Sequence, residues 1–194
     1  MSVASGVGRA TRLDEVMPRF DFSRAYRLSV PAPAAVTFAA LESYDIRESR
    51  TARVLMFLRG YGLRAARPAA PQGLVASVTQ SRFVGLGERP GREHVFGLAG
   101  RFWTPGGGLR TLTAGEFEAF EEEGCAKAAW NLAVEPAGES GSLLTTETRI
   151  LCFGKRAQRL FGLYWHTIEI FSGAIRISML SGIRKRAIAN RGAV

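Results

Sequence analysis

An α+β fold is what this 194-residue sequence predicts, and three observations lead there. Tyr26, Leu28 and Val30 alternate with Arg27 and Ser29, the period of a strand with one buried face. Two later stretches, 83–98 and 125–152, each read as apolar segments flanking a turn, hence as antiparallel hairpins. Near the C-terminus Ile175, Met179, Ile183 and Ala187 recur at every fourth position, with Leu180 widening the stripe of an amphipathic helix.

Composition sets the frame. With 46% hydrophobic, 22% charged and 10% aromatic residues the chain has material for a packed interior, and its length suits one domain. The richest apolar stretch, 160–175, is interrupted by His166 and Glu169, so no membrane span is expected. Arg9, Arg12, Asp14 and Glu15 stand where a secretory leader needs unbroken apolar residues, and a cytoplasmic location is the expectation. The net charge of +9 comes from 26 basic and 17 acidic residues, and lysine occurs only at 127, 155 and 185. Arginine suits phosphate recognition, yet here the arginines are scattered, without the stripe that a nucleic-acid partner requires. Arg184, Lys185 and Arg186 form the one tight basic cluster, where a helix C-terminus favours cations anyway.

Residues 1–22 hold Gly6, Gly8 and Pro18 without a sustained period, and predict a flexible arm with a docking segment near Phe20 and Phe22; a single domain then covers 23–194. After the first strand, Pro33 suits the first turn of a helix carrying Val36, Phe38, Ala39, Ala40 and Leu41. A second helix is expected over Arg50–Leu58, and a loop from Gly60 to Gly73. The first hairpin, taken as symmetric about Pro90, sets Val84 opposite Phe96 and Leu86 opposite His94. Gly85, Gly87 and Gly97 on its other face permit close approach by another element. Gly106–Gly108 are followed by Leu109, Arg110 and Thr111 rather than by the Gly-Lys-Ser/Thr ending of a phosphate loop, and read as a flexible connection. The acidic segment 116–123 suits a short helix or a strand. Lys155–Trp165 reads as one helix, and Ser172 as the cap of another reaching about Ala189, with Arg176, Arg184 and Arg186 on its polar side.

The second hairpin carries most of the site reasoning. A symmetric turn over Pro136–Gly141 pairs positions whose numbers sum to 277, so Trp130 opposes Glu147 and Cys125 opposes Cys152. Ala126, Ala128, Trp130, Leu132 and Val134 then share an inward face with Glu147 and Arg149, while Lys127, Asn131 and Glu135 face solvent. A slip of one residue would turn Glu147 and Arg149 to the other side. Two cysteines in a cytosolic chain are expected to stay reduced, and neither they nor the two histidines have metal-ligand spacing. No metal or cofactor is expected.

The segment Tyr26-Arg27-Leu28-Ser29-Val30-Pro31-Ala32-Pro33-Ala34-Ala35-Val36-Thr37-Phe38, the later Thr146-Glu147-Thr148-Arg149-Ile150 strand, and Phe161, Tyr164 and Trp165 ahead of the last helical stretch resemble the START and Bet v 1-like (SRPBCC) helix-grip superfamily. The resemblance covers most of the chain. It implies a curved antiparallel sheet wrapped around a long C-terminal helix, with a largely apolar cavity between them.

Phe96, Trp130, Glu147, Arg149, Met179 and Ile183 are the expected ligand-binding residues, with His94 beside them. Each apolar one also suits ordinary core packing, and Glu147 with Arg149 also suits mutual pairing. Three readings follow. A carrier or sensor would hold a small hydrophobic or amphipathic molecule. A cyclase-like or hydrolase-like enzyme would use His94 or Glu147 as general acid or base, with Arg149 or Tyr26 polarising a carbonyl. A peripheral membrane module would use the basic C-terminus and the Phe161–Phe171 aromatics.

Overall fold

The computed structural model describes residues 10–45, 73–79, 83–104 and 108–191. Six antiparallel strands form a curved, unclosed sheet against which the C-terminal helix packs, the helix-grip arrangement of an α+β fold. The strands are β1 (Phe22–Val30), β2 (Val84–Arg89), β3 (Glu93–Gly100), β4 (Leu109–Arg110), β5 (Ala126–Ala137) and β6 (Gly141–Cys152). Their order is β1-β6-β5-β3-β2, with β4 pairing β3. The helices are α1 (Arg12–Val16), α2 (Ala34–Glu42), α3 (Leu74–Thr79), α4 (Ala114–Glu118) and α5 (Lys155–Asn190). The helix expected over 50–58 and nearly all of the loop ending at Gly73 lie outside the described residues.

Several elements differ from the sequence expectation for local physical reasons. Residues 11–22 belong to the domain: Thr11 and Asp14 form a capping box at the start of α1, and Leu13, Val16 and Met17 are buried. Phe22 already pairs with Ile150 in the sheet. Segment 116–123 contributes to α4, started by a second capping box between Thr113 and Glu116. Leu109 and Arg110, expected in a connection, pair as a strand with Gly100 and Ala99. The two expected C-terminal helices are one continuous helix of 36 residues. Ser172 sits within it, because no proline interrupts the segment and buried apolar residues anchor both ends of one helix, Ala157 and Phe161 at the start and Met179, Leu180, Ile183 and Ala187 toward the end. Among the described residues no helix is long and apolar enough to cross a membrane.

Both hairpins are shifted from the symmetric registers. Ala137 opposes Gly141 across a three-residue turn, so β5 and β6 pair at a sum of 278: Trp130 faces Thr148, and Cys152 faces Ala126. Gly138 takes the left-handed conformation (φ +71°) that this odd-length turn needs. In the first hairpin the register shifts between Gly85 and Gly87, the signature of a bulge at Leu86. Val84 therefore opposes Gly97 and Glu88 opposes His94, so His94 and Phe96 stay on one face while Leu86 packs on the other.

The sheet has two covered faces. On the inner face, Val30, Phe96, Trp130, Leu132, Val134 and Leu144 pack with α2, α3 and the C-terminal half of α5. A second inner cluster joins Ala126, Ala128 and Ile150 to Phe161 near the start of α5. On the outer face, α1 and α4 cover Leu86, Val95, Ala99 and Ala129. The cover is tight at Gly97, where a β-carbon would stand 2.6 Å from Leu86 Cδ1 and 2.7 Å from Phe117 Cε2, whereas one on Gly85 meets nothing within 4 Å. Gly97→Ala is expected to cost ~1–3 kcal/mol through overpacking, with Gly85→Ala near neutral, in denaturant unfolding. Equal costs at both positions would contradict this packing.

Candidate functional site

The observed register moves Glu147 and Arg149 off the inner face, correcting the expectation that they line an interior cavity. They lie beneath α1. Arg149 donates to Glu147 (2.8 Å), to Asp14 (2.6 Å) and to the Met17 carbonyl (3.1 Å), and its guanidinium lies 4.8 Å from the Phe20 ring centroid. Burial opposes its charge, but these carboxylate partners prevail and hold it above the ordinary arginine range. Lys127 and Asn131, expected to face solvent, are buried here as well. Lys127 donates to the Phe117 and Glu118 carbonyls at the end of α4. Asn131 donates to Glu93 (2.7 Å), and Glu93 also accepts the Arg12 backbone N–H (2.6 Å). On this face Arg149 is paired with carboxylates, Glu93 accepts from the α1 backbone and Asn131, and Lys127 is held by backbone carbonyls.

Phe96, Trp130, Met179 and Ile183 do come together, all 5% exposed or less, in one inner core cluster. The Phe96 and Trp130 ring centroids are 5.0 Å apart. His94 shares this face, its ring 5.3 Å from Phe38 and 6.4 Å from Phe96, with Nδ1 3.1 Å from Glu88. His94 and Glu147 are on opposite faces of the sheet, so of these two alternative acid–base groups only His94 stands on the inner face. Phe161, assigned by the membrane reading to an outer surface, is buried against Phe22, Phe102 and Trp103. Both cysteines are free thiols, and burial pushes Cys152 up to about 12.

A polar seam separates the two inner clusters, and the sequence did not single it out. On β6 it holds Thr146 and Thr148 between Leu144 and Ile150; on β1, Tyr26 lies opposite Thr146 and Arg24 opposite Thr148. Along α5 the inward stripe runs through Phe161, Trp165, Ile168, Ser172, Arg176, Met179 and Ile183. Its middle residues, Ile168, Ser172, Ile175 and Arg176, remain half-buried where both ends are closed. Arg176, expected on the polar side of the helix, therefore points at the sheet. The signal was present, since Arg176 stands one turn before Leu180 on the apolar stripe.

Arg176 Nη1 donates to Thr146 Oγ1 (2.9 Å), and its guanidinium carbon lies 5.0 Å from the Trp130 ring centroid. Thr146 in turn donates to the Asn131 carbonyl (2.6 Å), so the hydroxyl is fixed from both sides. Burial pushes the guanidinium down to about 10, opposed only by the nearby Tyr26 phenol. It stays charged at neutral pH. The group lies deep among protein atoms and still keeps open surface. Thr148 Oγ1, on the same sheet face, is buried without a hydrogen-bond partner among the described residues.

No family model matches this chain, and no curated protein does. Among solved structures it is similar to a conserved protein from Geobacillus kaustophilus, with a TM-score of 0.42 and 10% identity over 84% of this chain and 96% of that one.

The outer network has a pH signature. Burial raises the Asp14 carboxyl, but hydrogen bonds from Thr11 and Arg149 outweigh it and hold the group below its ordinary 3.8. A carboxyl lowered by folding stabilises the native state above its unfolded pKa, and that stability is lost as pH falls through the folded value. Asp14→Asn is expected to flatten the fall in Tm between roughly pH 5 and pH 2; parallel acid limbs in the two proteins would contradict the pairing.

Proposed function

We propose that this protein binds a small hydrophobic or amphipathic molecule between the sheet and α5, as a carrier or sensor related in architecture to the START and Bet v 1-like helix-grip proteins. One observation carries the reading: the apolar core under α5 is interrupted at mid-helix. A ligand-free interior gains most by closing such a gap with aliphatic side chains, at roughly 25 cal/mol per Å² of apolar surface removed from water. Here the stripe instead holds Ser172 and a charged Arg176 facing Thr146 and Thr148. Tyr26, Leu98, Phe102, Trp103, Tyr164 and Trp165 stay only partly buried around the two clusters. Apolar walls with a few convergent polar groups are what recognition of an amphipathic small molecule requires.

An enzymatic use of the same space would need an acid–base group within it. Of the two alternatives considered for that role, Glu147 lies on the other face of the sheet, and His94, on the inner face, is buried against the Phe38 and Phe96 rings, so binding is the reading that the geometry supports best.

Native mass spectrometry of the purified protein is expected to show added mass, released by organic extraction, that reappears on incubation with apolar amphiphiles. Ser172→Trp, which places a large ring at the centre of the seam, is expected to abolish that binding with the fold retained by circular dichroism. Undiminished binding by Ser172→Trp, or no binding by the parent protein across a range of amphiphiles, would overturn the proposal.

A further inference from the structure

Two buried arginines serve the sheet, and their surroundings differ in one decisive respect. Arg149 has two carboxylates and a carbonyl. Arg176 has one neutral hydroxyl and one aromatic face. Among the described residues no carboxylate contacts Arg176. The only acidic residue of α5, Glu169, is taken by an ion pair with Arg24 of β1. An arginine charge removed from bulk water without a counter-ion is costly to retain, and the fold spends a fixed threonine and the Trp130 ring on holding this one in place.

The unused side of the guanidinium is the informative one. Nη1 is engaged by Thr146, while Nε and Nη2 make no hydrogen bond to any described residue. That free edge presents two parallel N–H donors, the fork that a carboxylate accepts with both oxygens. Thr148 Oγ1, buried and unpartnered, lies on the same face, directly across from Trp130, over which the guanidinium sits. Tyr26 lies against Gly173, one turn before Arg176, and its phenol makes no hydrogen bond among the described residues. Arg176, Thr148 and Tyr26 thus bring free donors to the same inner face, between two apolar clusters.

We infer that Arg176 is the head-group site of the binding cleft, and that the natural ligand is an apolar molecule ending in a carboxylate. The inference rests on the container reading and adds to it the ligand's charge and orientation. The carboxylate is held on the Nε–Nη2 edge with Thr148 as the supplementary donor, and the apolar body runs from the seam between the two inner core clusters. Neutralisation of the buried guanidinium makes occupancy stabilising to the fold.

The test uses the full chain with laurate, its methyl ester and dodecyl phosphate as probes, all below their aggregation concentrations, and reads binding by native mass spectrometry and thermal shift. Laurate is expected to bind on the order of tenfold more tightly than the ester, reflecting a charge-assisted bidentate contact, and more tightly than dodecyl phosphate. Arg176→Met is expected to lose the preference for acid over ester, with Tm in the unliganded state at or above the parent value. Thr146→Val, which frees the guanidinium but keeps its charge, is expected to lose part of the preference. Equal binding of laurate and ester by the parent protein would overturn the carboxylate assignment and leave the container standing, whereas tighter binding of dodecyl phosphate would reassign the head group to a phosphate. Binding of none of the three would remove the container reading and this inference together. The comparison of acid with ester in the parent protein decides the matter even if the variants fail to fold.

Discussion

The pairing of β5 with β6 is the constraint from which the rest of the structure follows. Side chains alternate strictly along a strand, so a turn of odd or even length decides which residues of β6 enter which interior. The three-residue turn at Gly138–Ser140 sends Leu144, Thr146, Thr148 and Ile150 toward α5, and Glu147 and Arg149 toward α1. Had the turn been one residue longer or shorter, α1 would have met a face of threonines and α5 a face with an ion pair. β1 reads its register from β6 in turn, and this places Tyr26 beside Thr146.

The two faces then solve different problems. The outer face is closed by an apolar cluster under α1 and α4 and by a polar network beside it: Glu93, almost fully buried, receives the α1 backbone and Asn131, and Arg149 gathers Asp14, Glu147 and the Met17 carbonyl. Arg149 has carboxylate partners from the same chain, and Lys127 is held by the carbonyls that end α4. The inner face is closed hydrophobically at both ends and left polar between them. A continuous 36-residue helix spans both ends, so the gap at its centre is framed by rigid structure rather than by a loop.

Much of the architecture was legible in the sequence because periodicity reports burial directly. The Tyr26–Val30 alternation, the hairpins, and the Met179, Leu180, Ile183 and Ala187 stripe all correspond to observed elements. Capping chemistry was equally readable at Thr11-x-x-Asp14 and Thr113-x-x-Glu116, although the glycines preceding the first suggested an unattached arm. What was not legible is whatever depends on a single residue of register. Hydrophobic pattern alone could not distinguish sums of 277 and 278 in a hairpin where small alanines stand on both faces of β5 and threonines on both faces of β6. The choice lay with the length of the turn, which Gly138 opens in a left-handed conformation. That one step separates a site built on Glu147 and Arg149 from one built on Thr146, Thr148 and Arg176. Arg176 was missed for a related reason: charge was weighed above its place on the helical stripe.

The most direct check of the account is a crystal structure of the protein as purified, with attention to the space bounded by Trp130, Thr148, Ser172 and Arg176. Elongated density is expected there, with its polar end within hydrogen-bond distance of Arg176 Nε and Nη2. An interior closed by side chains, with Arg176 reaching a carboxylate of its own chain, would contradict it.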